Sequence, residues 1–289
     1  RYEQGSYEAL QKNLSQWEND LNLCNMMGTG TMKPYKLVAR LLRLLSRQKN
    51  DTQPFKRAEK ELSGITPAIL LAILSGAQLP DAVAARALAY IRSQMLNSDD
   101  EQKTPPIPDG ISCQWLKVWL LRKNREKNRE ELLMPYYNLE HPSAAYHCGA
   151  LMAVYADIQR TAMPDVNAGV IQRYYASASR TPALVMGQLE RLSNYHLNLV
   201  KNLKPWKEKK YEEWLNEGYC NIRGEVGKEI PTTLNLEEQA YFTLGYRQMA
   251  ANINKHWNEC KAEGTVGIVK KRGQSQSCEY EEQTEQEDI

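Results

Sequence analysis

The stretch Arg173–His196, RYYASASRTPALVMGQLERLSNYH, joins a short run of aromatic and small residues to a long helical pattern. Thr181 and Pro182 mark the junction. Thr is a favoured N-cap, and Pro suits a first turn because the N–H it lacks would have no partner there. The pattern predicts a helix over Pro182–Leu203. Leu189, Leu192, His196, Leu199 and Leu203 recur at three and four residues as its apolar face, with Arg191, Asn194, Asn198 and Lys201 on the polar side. Ahead of it, Val166–Ala178 predicts a shorter helix. The whole stretch reads as the packed centre of a bundle, with Tyr174 and Tyr175 serving the core and Arg173, Arg180 and Arg191 turned to solvent or to phosphates.

Working outward, the same period recurs along the chain. Tyr7, Leu10, Leu14, Trp17 and Leu21 predict a helix over 6–24. After a Gly/Thr break at Met26–Lys33, Pro34–Gln48 predicts a second. Pro67–Ser75 is short, apolar and stopped by Gly76. Pro80–Leu96 follows, with Asp81 suited to the positive N-terminal end of a helix. Ile111–Leu133, Pro142–Thr161 and a short charged Trp206–Asn216 are further helices. Asn235 and Glu238 form a capping-box start for Leu236–Ala262. Tyr219–Thr233 carries Gly and Pro and predicts an irregular segment or a β-hairpin. Val266–Val269 is a candidate strand in an otherwise flexible tail.

Leu, Ala, Gln, Glu, Lys and Arg are abundant, and these residues lose least on entering a helix. The expected class is therefore all-α, in two helical bundles. Asn97–Gly110, NSDDEQKTPPIPDG, has acids followed by prolines that deny helix geometry. The expected division is a helical domain at 1–100, a linker at 101–110, a second bundle at 111–263 and a tail at 264–289. The chain opens at Arg1 rather than Met, so an upstream part is expected to have been removed or left out.

Formal charge is +2, but Glu279–Ile289 holds six acids and no Lys or Arg, so residues 1–278 carry +8. A basic body with an acidic tail fits a nucleic-acid partner, though also proteins that bind none. No apolar run is long enough to cross a membrane. The six cysteines (Cys24, Cys113, Cys148, Cys220, Cys260 and Cys278) show no CxxC spacing, which favours reduced thiols over zinc or disulfides.

Lys36, Arg40, Arg43 and Arg47 fall within about 60° of one another on Pro34–Gln48, a cationic stripe roughly 16 Å long. A solvated face and a phosphate track are both compatible with it. The 182–203 helix presents the same choice, with Lys204, Lys207, Lys209 and Lys210 carrying positive charge past Pro205. Arg122, Lys123, Arg125, Lys127 and Arg129, interleaved with acids, read as a solvated helix end. His147–Cys148 lacks a third group for nucleophilic catalysis. No phosphate-binding glycine loop or metal-ligand spacing exists, so no catalytic residue, metal or cofactor is expected.

The central and C-terminal pieces resemble the large subunit of subtype I-C (Dvulg-type) CRISPR Cascade complexes. The residues that carry this are Arg173–Ser179 with Thr181-Pro182, Leu192–His196, Leu236–Gln239, Leu244–Tyr246, and His141-Pro142 before Ala145-Tyr146 and Gly149. The resemblance implies a cytoplasmic, non-enzymatic subunit that helps a guide-RNA complex open target DNA, beside backbone and small subunits, and recruits a helicase-nuclease. It implies that the part reading the short motif beside the target lies upstream. It also implies a small subunit made from an internal start, with Met134 the first candidate and Met152 the second. Candidate nucleic-acid contacts are Lys36, Arg40, Arg43, Arg47, Arg173, Arg180, Arg191, Asn194, Lys201 and Lys204. The alternative is a helical scaffold that touches only proteins.

Overall fold

The structure, a computed structural model, describes residues 66–96, 111–123, 134–164, 166, 169–223 and 229–262, with positions 9, 12, 13, 15–17, 19 and 20. Among these residues the chain is all-α, with eight helices and no strand. They are α1 (Thr66–Ser75), α2 (Asp81–Leu96), α3 (Ile111–Lys123), α4 (Ala144–Ala162), α5 (Val170–Ala178), α6 (Pro182–Leu203), α7 (Pro205–Arg223) and α8 (Leu236–Ala262). The isolated positions between 9 and 20 are also helical. The predicted Pro34–Gln48 helix, the 97–110 linker and the tail with its candidate strand lie outside the described residues.

Local signals set most helix ends. Ser143 caps α4, its Oγ accepting from the Tyr146 N–H. At α8 the capping box is complete. Asn235 Oδ1 accepts from the Glu238 N–H at 3.0 Å, and Glu238 Oε2 accepts from the Asn235 N–H at 2.7 Å. Gly76, at φ +69°, ends α1 in the left-handed region that a side chain would disfavour.

Two local expectations need correction. Tyr219–Arg223 does not begin an irregular segment; it continues α7, and irregular chain is seen at 229–235. Gly218 sits inside α7, where a Cβ would lie 2.5 Å from a Leu151 methyl. The missing side chain admits α4. The second correction concerns α6. Its buried stripe is Pro182, Met186, Leu189, Ser193, His196 and Val200, while Leu203 is exposed.

The centre of the fold is α4, not Arg173–His196. Fifteen of the nineteen residues of α4 are buried, as expected of a helix surrounded by others. α8, α7, α6 and α5 all pack against it. Its closest neighbour is α8. A Cβ on Gly149 would lie 2.8 Å from the Phe242 carbonyl carbon, and one on Gly245 would lie 2.8 Å from the Tyr146 carbonyl carbon. Tyr146 meets Gly245 and Gln248 near the helix starts, and Asp157 accepts from Trp257 Nε1 at 2.9 Å toward their ends, so the two helices run in the same direction. Backbone meets backbone here, which only paired glycines allow.

α2 packs on α3, α5 and α8, so helices from either side of 97–110 share one hydrophobic core. The N-terminal positions join it through Arg122. This side chain is not the expected solvated helix end: it is buried, 2.9 Å from Asp20 Oδ2, and its guanidinium lies 3.6 Å from the Trp17 ring centroid. Burying it costs far less in that company than it would alone.

Candidate nucleic-acid interface

α5 buries Val170, Ile171, Tyr175 and Ala178, which leaves Arg173 and Ser177 exposed on its other side. Tyr175 is wholly a core residue. Its ring meets Phe242 and Tyr246 edge-on at 5.6 and 5.3 Å, and its hydroxyl donates to Thr243 Oγ1. Tyr174 is half-buried and ties α5 to α6 by accepting from Gln188 Nε2 at 3.0 Å.

The turn between α5 and α6 holds exposed Arg180. Thr181 occupies the cap position of α6 but its hydroxyl donates back to the Ser177 carbonyl instead. The free N–H of Ala183 is met from outside, by the Pro231 carbonyl at 3.1 Å. The 229–235 loop thus straps the turn. Leu234 N–H donates to the Arg180 carbonyl at 2.7 Å, and Gln239 Nε2 donates to the Leu234 carbonyl at 2.8 Å. Gln239 Oε1 in turn accepts from Arg92 Nη1 at 3.0 Å.

That relay ties the Arg92 side chain, from α2, to the main chain at Arg180. Burial first, and Arg180 second, hold the Arg92 guanidinium below its usual range. Its Nε is buried without a hydrogen-bond partner among the described residues. Arg92 is a residue that sequence reasoning passes over. An Ala-rich helix with arginines at 86 and 92 gives no signal as to which matters until α5 and α8 pack against it.

Along α6, Arg191, Asn194, Tyr195, Asn198 and Lys201 are all exposed. Tyr195 and Leu184 stand out as large apolar groups in water, at 58% and 77% exposure. They lie eleven residues apart and so share a stripe with Arg191. In the sequence, Tyr195 is a motif residue with no surface role attached.

The remaining candidates are distributed rather than gathered. Lys201 Nζ is held 2.9 Å from Glu208 Oε1, and Asn194 borders a cleft that also contains Glu190 and Glu212. Lys204 is exposed at the far end of α6, about 33 Å from the Arg180 end at 1.5 Å per residue. Lys36, Arg40, Arg43 and Arg47 lie outside the described residues. The candidates therefore define a line, densest in positive charge where α2, the α5–α6 turn and the first half of α6 meet.

Beyond Pro205 the expected run of positive charge is partly withdrawn from the surface. Lys207 Nζ lies 4.3 Å from the Trp257 ring centroid and 5.4 Å from that of Trp206. Burial pushes its pKa down to about 8, against the pull of Asp157. Asp157 accepts from Tyr211 Oη at 2.6 Å and Trp257 Nε1 at 2.9 Å. Burial raises its carboxyl pKa, but Arg160 and these donors more than reverse that. Lys210 pairs with Glu213.

The His147–Cys148 pair is not arranged for nucleophilic attack. Burial pushes the Cys148 thiol up to about 12. Both His147 nitrogens are engaged, Nε2 donating to the His141 carbonyl at 2.6 Å and Nδ1 hydrogen-bonded to the Tyr137 hydroxyl at 2.7 Å. Among the described residues, no three His, Cys, Asp or Glu side chains gather as a metal site, and no helix is long and apolar enough to cross a membrane.

The family model described as CRISPR-associated protein (Cas_Csd1) matches residues 1–253 of this chain. No curated protein matches it.

Proposed function

Because the chain belongs to the family of CRISPR-associated proteins described as Cas_Csd1, we propose that it serves a type I-C guide-RNA complex as a non-catalytic subunit that holds nucleic-acid backbone at the α2/α5–α6 corner. The contacts would be to the guide–target duplex or the displaced DNA strand, with sequence read by base pairing and the protein supplying charge and shape. A further role in supporting helicase-nuclease recruitment belongs to the same reading.

One observation carries the proposal: a hydrogen-bond relay ties the Arg92 guanidinium to the main-chain carbonyl of exposed Arg180, which brings two like charges to one corner. A phosphate between them would relieve their repulsion and accept charge-assisted hydrogen bonds from both. Arg173 and Arg191 extend the positive surface on either side, and exposed Tyr195 offers a ring on which an unpaired base can stack. A product begun at Met134 would keep α4–α8 whole, whereas one begun at Met152 would lose the start of α4 with Gly149.

The test is the Arg92→Gln/Arg180→Gln double variant in the assembled complex. Retention of target DNA should weaken, and the slope of log affinity against log salt should become shallower by about 0.7–0.9 for each phosphate that is no longer neutralised. Unchanged retention and slope would remove this corner from the interface. Crosslinks from the displaced strand confined to other subunits would favour the protein-only scaffold.

A further inference from the structure

Between α6 and α7 lies a cleft of about 450 Å³, floored by Tyr155 of α4. Glu190 stands on its α6 wall and Glu212 on its α7 wall, with Asn194 and Asn216 beside them. No Lys, Arg or His lines it. Neither glutamate has an ion-pair partner at salt-bridge distance among the described residues; the nearby Lys201 is engaged by Glu208. Ser193 also lines the cleft. It is 2% exposed, and its Oγ has no hydrogen-bond partner among the described residues. Buried hydroxyls are ordinarily paired, so an unpaired one in a cleft wall points to a group that arrives from outside.

The chemistry of the lining narrows what that group is. Two carboxylates on facing walls repel phosphate and attract a cation. The amide oxygens of Asn194 and Asn216 and the Ser193 hydroxyl can accept several hydrogen bonds in addition. A guanidinium offers five N–H donors in one plane, which suits acceptors on opposite walls better than a single-point ammonium. Leu197 and Leu215 supply apolar surface for the methylene stem of such a side chain. The volume exceeds one side chain and falls in the range of ligand clefts, so it can admit an arginine with some of its flanking chain.

We infer that the α6–α7 cleft is a docking site for an arginine side chain from another protein subunit of the complex in which the chain works. The occupant is assigned to a protein because members of this family work within a multi-subunit assembly and because the acidic lining disfavours nucleic acid. The chain then has two differently charged sides: the α2/α5–α6 corner attracts phosphate, and the α6–α7 cleft attracts a basic protein segment. The docking site stands whether or not the corner meets nucleic acid, so the two proposals fail separately.

The experiment uses the Glu190→Gln/Glu212→Gln double variant, which keeps side-chain volume and removes only charge. The full-length chain is combined with the other purified subunits, and incorporation is measured by size exclusion across a salt series. Far-UV circular dichroism and thermal melting check the fold. The expected result is incorporation weakened about tenfold or more, with the salt dependence of the wild type largely abolished. Ser193→Ala should weaken incorporation by a smaller factor without changing the salt dependence. Incorporation equal to wild type at every salt concentration would overturn the inference. So would saturable binding of spermidine to the wild-type chain with assembly unaffected, which would make the cleft a small-cation site.

Discussion

Replacing Gly245 by Ala tests the contact on which the fold turns. The added Cβ would lie 2.8 Å from the Tyr146 carbonyl carbon and 3.1 Å from its Cα. Ordinary carbon–carbon contacts fall at about 3.5–4.0 Å. The obstruction is backbone rather than the tip of a flexible side chain, so α4 and α8 must part by about 1 Å where they cross. Overpacking of this kind typically costs about 1–3 kcal/mol. The better helix propensity of Ala returns up to about 1 kcal/mol. A gap opened along the rest of the helix pair forfeits a quarter to a half of each contact's dispersion energy, which adds to the cost. The expected net loss is about 2–3 kcal/mol. Gly149→Ala should cost a similar amount, because its Cβ meets the Phe242 carbonyl in the mirror-image way. The two changes wedge the same crossing, and one separation relieves both. The double variant should therefore lose less than the sum of the singles, with a coupling of about 1 kcal/mol or more. Urea unfolding of the full chain, followed by far-UV circular dichroism, measures all three. A single variant within about 0.5 kcal/mol of wild type, or strictly additive losses, would refute the backbone contact.

His141 predicts acid sensitivity. Its Nδ1 accepts from the Ser143 N–H at 3.1 Å, and burial first, then His147, push its pKa down from 6.5 to about 4. As pH falls the unfolded chain takes up this proton before the folded one, so stability is complete above pH 6.5 and drains away toward pH 4, by at most about 3 kcal/mol. His141→Asn, which retains an acceptor, should flatten that pH slope; equal slopes in urea titrations would sink the assignment. Asp20→Asn removes the charge that faces the buried Arg122 guanidinium and should cost about 3–5 kcal/mol, with the N-terminal region cleaved earlier in limited proteolysis. Thiol labelling at pH 8 mapped by mass spectrometry should modify exposed Cys220 in the native protein but reach Cys113 and Cys148 only in urea. Burial pushes those two thiols up to about 11 and about 12. Native labelling of Cys148 would contradict its burial.

Half of the residues that carry the family resemblance are core residues. Tyr146, Gly149, Tyr175, Leu244, Gly245 and Tyr246 are all buried where α4, α5 and α8 meet. They record how this backbone packs, and a resemblance built on them says more about fold than about surface chemistry. The surface is harder to read. Arg122 and Lys207 look in the sequence like the lysines and arginines around them, yet one is sealed against Trp17 and the other is drawn among Trp206, Tyr211 and Trp257. Arg92 and Arg180 are 88 positions apart in the chain, and no spacing rule connects them.

The sequence by itself determined what is local: the all-α class, the capped start of α8 at Asn235, the start of α6 at Pro182, and the stop of α1 at Gly76. Each depends on groups within one or two helical turns, so period and end chemistry suffice. Tertiary structure decided the rest: α4 as the centre, Gly218 as a packing residue inside α7, one core shared across 97–110, and the separation of the basic corner from the acidic cleft. These depend on which helix faces meet. A charge or a glycine acquires its role only when a distant segment takes away its water or its space.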